Sequence, residues 1–174
     1  MSGPTAPLVV LVGSPGAGKS TVGAALAGRL GVGFRDTDAD VEASTGSSIS
    51  DIFVDDGEQH FRQLERDAVT RALAEHEGVL CLGGGAVVSE QVRASLAGHR
   101  VVHLDVGIGE AARRVGLNTA RPLLLGNVRG SLRTLLEQRR PLYESVATVT
   151  VTTDERPIED VVEEIVAHLG ARQS

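Results

Sequence analysis

The stretch Gly13-Ser-Pro-Gly-Ala-Gly-Lys-Ser20 constrains this chain more than any other feature. It fits the pattern G-x-x-x-x-G-K-[S/T], follows the apolar run PLVVLVG (7–13) and opens an amphipathic stretch, Lys19–Leu30. A glycine-rich strand-to-helix turn of this kind curls the backbone so that successive N–H groups converge on phosphate oxygens. The helix N-terminus adds partial positive charge. The motif therefore predicts a buried strand, a covering helix and a phosphate loop between them. Lys19 is the sole lysine of a chain with sixteen arginines. A compact ammonium on a thin stem suits such a loop, where a planar guanidinium would crowd it.

The rest of the chain repeats the alternation. GFRDTD (33–38), VLCLGG (79–84), RVVHLDV (100–106) and ATVTVTT (147–153) read as strands. Helical patterns cover Glu58–Glu75, Ser89–Leu96, Gly109–Val115, Ser131–Arg139 and Ile158–Leu169. Continuous apolar strands joined by helices predict an α/β fold in three layers, with a central parallel five-stranded sheet and helices on both faces. Its ligand site belongs at the strand carboxyl ends. The 174 residues fit one domain, 1–174. Two stretches break the alternation: residues 38–65, where helical pieces replace one crossover, and residues 116–130, GLNTARPLLLGNVRG. Fifteen residues without clear periodicity read as a lid.

Composition narrows the partners. A net charge of −6 argues against non-specific nucleic-acid or anionic-membrane binding as the main business. Aromatic residues make up 2% of the chain, so Ala, Val, Leu and Ile must build the core. Cys81, the single cysteine, reads as a buried strand residue in a reducing compartment. No targeting segment and no membrane-spanning run is evident, which points to the cytoplasm.

The phosphate loop predicts nucleoside-triphosphate binding by Gly16, Ala17, Gly18, Lys19, Ser20 and Thr21. Lys19 can reach the β- and γ-phosphates and the Ser20 hydroxyl can ligate Mg²⁺. Asp36-Thr-Asp38 follows the second strand. If that strand continues, the two carboxylates point to one side, one toward Mg²⁺ and the other toward an acceptor hydroxyl. An isolated D-T-D reads equally as a helix N-cap in a solvated turn; the neighbouring phosphate loop favours the first reading.

In the order and spacing of its motifs the chain resembles the shikimate kinases, P-loop enzymes related in fold to the nucleoside monophosphate kinases. The resemblance rests on GSPGAGKST (13–21), DTD (36–38), SISDIFVDDGEQHFRQLE (48–65), LGGGAV (82–87), RPLL (121–124) and RRPLY (139–143). It implies a P-loop NTPase fold that transfers the γ-phosphate of ATP to the 3-hydroxyl of shikimate, within chorismate and aromatic amino-acid biosynthesis, with Mg²⁺. Residues 38–65 become the substrate-binding insertion and 116–130 the lid. Asp38 would hold the acceptor hydroxyls and serve as base, and Asp36 would position Mg²⁺ through water. Arg62 and Arg139 would clamp the carboxylate, and Gly83, Gly84 and Gly85 would line the ring. Phe53 and Phe61 would form an apolar wall. Arg121 would close on the phosphates, while Arg114 and Arg156 would flank the adenine. The resemblance also implies a monomer.

Arg139 and Arg140 are adjacent, and the R-x-P-L-Y pattern selects Arg139. Two rivals remain at this point: another small-molecule kinase of gluconate-kinase type, and a non-catalytic nucleotide-dependent regulatory domain. The first would not be expected to carry DTD, FR, GGG and RPLY together. The second would more naturally lack an acceptor carboxylate or a lid arginine.

Overall fold

The computed structural model of the chain describes residues 5–116 and 128–171. Its first strand, β1 (Val9–Val12), buries all four side chains. Alternate residues face opposite sides of a strand, and Val9 and Leu11 enter one apolar cluster while Val10 and Val12 enter another. A strand with no polar face belongs in the middle of a covered sheet. The other strands are β2 (Phe34–Asp36), β3 (Val79–Cys81), β4 (Val101–Asp105) and β5 (Val149–Thr152). They form one parallel sheet in the order β2-β3-β1-β4-β5, with β1 at its centre.

Helices cover both faces. Val22 and Leu26 of α1 (Lys19–Leu30) and Val161 and Ile165 of α8 (Ile158–Ala171) pack on the side of Val9 and Leu11. On the other side lie Val69 and Leu73 of α4 (Glu58–Glu75), Val92 of α5 (Glu90–Ser95) and Tyr143 of α7 (Val128–Val146). Between β2 and α4 the chain adds α2 (Thr37–Thr45) and α3 (Ile49–Asp56). These have a small core of their own, made by Val41, Ile52, Phe61 and Ala68. The remaining α-helix, α6 (Ile108–Gly116), follows β4. No helix among the described residues is long and apolar enough to cross a membrane.

Two boundaries depart from the sequence reading. The second strand stops at Asp36 instead of running on to Asp38, because the Asp36 carboxylate accepts the Asp38 backbone N–H at 2.8 Å and caps α2. Asp36 and Asp38 are thus not alternate residues of a strand: one ends the strand and the other lies in the first helical turn. The seventh helix, expected over Ser131–Arg139, runs through Pro141 to Val146. Proline removes one backbone bond, but burial of Leu132, Leu136 and Tyr143 holds both halves to the body of the protein.

Candidate active site

Strand register brings three loops together. Leu11 pairs with Cys81, Asp36 also pairs with Cys81, and Val12 pairs with His103. The phosphate loop, the D-T-D turn and the triple glycine therefore leave the sheet side by side at its carboxyl end. Thr37, fully buried, ties two of them by accepting the Gly83 N–H at 3.2 Å.

In the phosphate loop, Gly16 and Gly18 take φ of 84° and 86°, a left-handed backbone that favours glycine. Ala17 is buried and donates its N–H to the Ser14 carbonyl at 3.1 Å. Gly18 caps α1 without a side-chain acceptor, which leaves the first-turn N–H groups turned toward any oxygen ligand at that end. Lys19 folds over the loop and donates from Nζ to Gly13 O at 2.8 Å and Ser14 O at 3.1 Å. The Ser20 hydroxyl donates to Asp36 Oδ2 at 2.9 Å. Gly16, Gly18, Lys19, Ser20, Thr21, Asp36, Asp38 and Arg114 line one cleft of about 310 Å³. A hydroxyl and a carboxylate held together at its mouth are the hard oxygen donors that Mg²⁺ takes, alongside water and phosphate oxygens.

The triple glycine is a place where side chains from elsewhere need room. A Cβ on Gly83 would stand 2.5 Å from Asp38 Oδ1 and 3.0 Å from Glu65 Oε2. One on Gly84 would meet Pro15 of the phosphate loop at 3.0 Å, and one on Gly85 would meet the Arg62 guanidinium at 2.5 Å. Asp38, Glu65 and Arg62 thus crowd one bare backbone segment. Glu65 is 2% exposed and binds Arg62 Nη1 at 2.8 Å. Burial raises its carboxyl above the ordinary value, against the opposing pull of Arg62. Phe61, beneath Arg62, is buried and packs on half-buried Phe53 with ring centroids 4.8 Å apart. Phe61 is therefore part of the core of the α2–α4 region, and Phe53 is the more accessible of the two.

The adjacent arginines of α7 diverge. Arg139 is 9% exposed and lies close enough to Tyr143 and Glu65 to bear on their ionisation. Arg140 turns to Asp105, the last residue of β4, at 3.3 Å. On the opposite side, Arg114 bridges the phosphate loop and the loop after β5, donating to Gly16 O at 2.9 Å and Thr153 O at 3.3 Å. Glu110 steadies it at 3.0 Å. The structure does not bring Arg156 into the cleft lining: its guanidinium binds Thr152 O at 2.9 Å and Glu164 at 2.8 Å. Arg121 and most of the expected lid lie outside the described residues.

Sequence reasoning singled out no role for Thr37, Glu65, Tyr143 or Asp154. Asp154 accepts the Gly107 N–H with both carboxylate oxygens, at 3.0 and 2.9 Å, and so ties the β4–α6 loop to the β5–α8 loop. Thr37, Glu65 and Tyr143 each lie inside a stretch that carries the resemblance (36–38, 48–65 and 139–143), and membership of those stretches is their signal in the sequence. Glu65 stood in the charged run HFRQLERD, where nothing marks it as buried.

The family model described as Shikimate kinase matches residues 15–170. A shikimate kinase of Thermobifida fusca is 60% identical over 165 residues, covering 95% of this chain and 96% of that protein. The structure of shikimate kinase from Acinetobacter baumannii in complex with shikimate superposes with a TM-score of 0.92 at 35% identity, covering 97% of this chain and 94% of the other. A gluconokinase from Sinorhizobium meliloti reaches a TM-score of 0.60 at 24% identity, over 97% of this chain and 93% of the other, and shares the fold.

Proposed function

The chain belongs to the shikimate kinase family, and from that premise we propose how its residues divide the work of moving the γ-phosphate of ATP to the 3-hydroxyl of shikimate. The reading is carried by one observation. The Lys19–Ser20–Asp36 phosphate site and the Asp38–Arg62–glycine segment converge at one end of the sheet.

The acceptor is an anion that must approach an anionic triphosphate inside a protein of net charge −6. Positive charge has to be concentrated locally, and the arginines do this. Arg62 and Arg139 hold the shikimate carboxylate, whose two oxygens match the guanidinium fork. Arg62 is fixed for this task by Glu65 at 2.8 Å. Gly83, Gly84 and Gly85 give the ring a flat backbone floor, and Phe53 and Phe61 close one side. Asp38 accepts the 3-hydroxyl proton as the oxygen bonds to the γ-phosphorus and the bond from that phosphorus to the β,γ-bridging oxygen breaks.

On the nucleotide side, the phosphate-loop N–H groups hold the phosphates. Lys19 leaves the Gly13 and Ser14 carbonyls to follow the γ-phosphoryl group. Ser20 and Asp36 would hold Mg²⁺, which neutralises phosphate charge when bound. Catalysis is then chiefly alignment and charge stabilisation. Arg114 flanks the adenine, and Arg156 takes the same role once released from Glu164. Residues 116–130 act as the lid, with Arg121 closing over the phosphates and shutting out water. The same reading makes the protein a cytoplasmic monomer acting on two small molecules, with no nucleic-acid or membrane partner.

The test is ADP release by the purified chain with ATP and Mg²⁺, with and without shikimate, with gluconate as a control and the product identified by ³¹P NMR. Shikimate-dependent release giving a single 3-phosphate ester is expected. Release that ignores shikimate, or that responds to gluconate instead, overturns the reading.

A further inference from the structure

Tyr143 is the largest side chain buried to within 2% of full enclosure, and it does more than fill the core. Its hydroxyl donates to the Gly84 carbonyl at 2.5 Å, the middle residue of the triple glycine. The same hydroxyl lies beside the Arg139 guanidinium, four residues earlier on α7 and so on the same helical face. Behind the ring, His103 of β4 stacks at 5.1 Å between centroids with planes 25° apart. His103 is 3% exposed, and its Nδ1 makes no hydrogen bond among the described residues. The imidazole is thus held by packing, as a flat backstop to the phenol.

We propose that Tyr143 is a positioning residue for the acceptor pocket, its hydroxyl fixing the Gly84 carbonyl and the Arg139 guanidinium relative to one another, with His103 holding the ring in place. The proposal rests on the assignment of Arg139 and Gly83–Gly85 to shikimate. Each of these depends on a third party for its orientation. Gly84 has no side chain to anchor it, and a long arginine at a pocket edge has many rotamers to lose on binding. A phenol buried between them restrains both with one rigid group. Burial pushes the Tyr143 hydroxyl up to about 12, so it stays a donor across the working pH range.

The test is Tyr143→Phe, which keeps the ring and its stack and deletes only the hydroxyl. KM for shikimate should rise about tenfold, the scale of one or two lost hydrogen bonds, while KM for ATP stays within about twofold. A merely structural role would lower the melting temperature and leave the ratio of the two KM values unchanged, and that result overturns the proposal. In an Arg139→Ala background the tyrosine change should lose most of its effect on shikimate. If Arg139→Ala itself leaves shikimate KM unchanged, the pocket assignment fails; if it raises KM and Tyr143→Phe does not, only the present proposal fails. Should the phenylalanine variant not fold, His103→Leu removes the backstop and keeps the hydroxyl. A shikimate-selective rise in KM supports the proposal there, and an unchanged KM ratio overturns it.

Discussion

Arg139 and Arg140 are chemically identical neighbours, and the structure gives them different surroundings. Arg139 is 9% exposed and close enough to Tyr143 and the buried Glu65 to bear on their ionisation. The Arg140 side chain is 42% exposed and reaches Asp105, itself 31% exposed, at 3.3 Å. On the proposed reading, truncating Arg139 removes one arm of a carboxylate clamp at a side chain that is largely buried. A charge-assisted contact of that kind is worth about 2–3 kcal/mol, or roughly 30- to 150-fold in kcat/KM for shikimate at 1.4 kcal/mol per factor of ten. Truncating Arg140 removes a partly exposed pair worth below about 1 kcal/mol, less than about fivefold. The loss for Arg139→Ala should fall mainly on KM, since a contact with the remote carboxylate is made in the ground and transition states alike. The assay is initial rate against shikimate concentration for both variants and wild type, with ATP saturating. Equal losses, or a larger loss for Arg140→Ala, would refute the assignment of the two side chains.

Three further outcomes are expected. Lys19→Arg should lose at least about a hundredfold in kcat while keeping its melting temperature, because a planar guanidinium cannot reproduce the compact ammonium that the Gly13 and Ser14 carbonyls hold and that is proposed to follow the γ-phosphoryl group; near-wild-type turnover would overturn this. Gly85→Ala should raise KM for shikimate by displacing Arg62, whose guanidinium would stand 2.5 Å from the new methyl group, and a variant with unchanged KM would show that Arg62 orientation is not limiting. Burial holds the His103 imidazole below its ordinary 6.5, outweighing the opposite pull of Asp105 and Glu144, with Arg140 and Lys19 adding to the depression. The folded state therefore binds fewer protons than the unfolded one. This contribution to stability is present above about pH 6.5 and is lost as pH falls through the folded value. A thermal-melting series from pH 7.5 to 5 should show that acid-side loss, and His103→Phe should reduce it.

The phosphate loop and the alternation of strands and helices were legible in the sequence because each is a local pattern with one mechanical use, whereas the acceptor-pocket residues beyond Asp38 were reached only through the family resemblance. What escaped depends on competition that no local pattern records. Asp36 was expected to continue a strand, but its side chain has a better use as an acceptor for the next turn's N–H, so the chain turns helical at Thr37. That switch matters for the chemistry. It puts the Asp36 carboxylate against Ser20 and leaves Asp38 one turn-start away, beside Gly83. The two carboxylates are thereby separated by a helix cap, not by strand alternation, and the proposed division between metal and acceptor follows that separation. The helical pattern ends at Arg139, but apolar residues on both sides of Pro141 are buried, and their packing outweighs one lost backbone bond, so α7 runs on to Val146. That outcome too has a chemical consequence, since only an unbroken helix carries Arg139 and Tyr143 on one face. Glu65 illustrates the remaining limit: in sequence it is one acidic residue among several, and only the fold reveals that a buried carboxylate orients Arg62. Burial lifts its carboxyl above the ordinary value even against the pull of Arg62, so the pair is held in the interior against a desolvation penalty. On the proposed reading, that carboxylate holds Arg62 in place for an anionic acceptor, the same task proposed for Arg139.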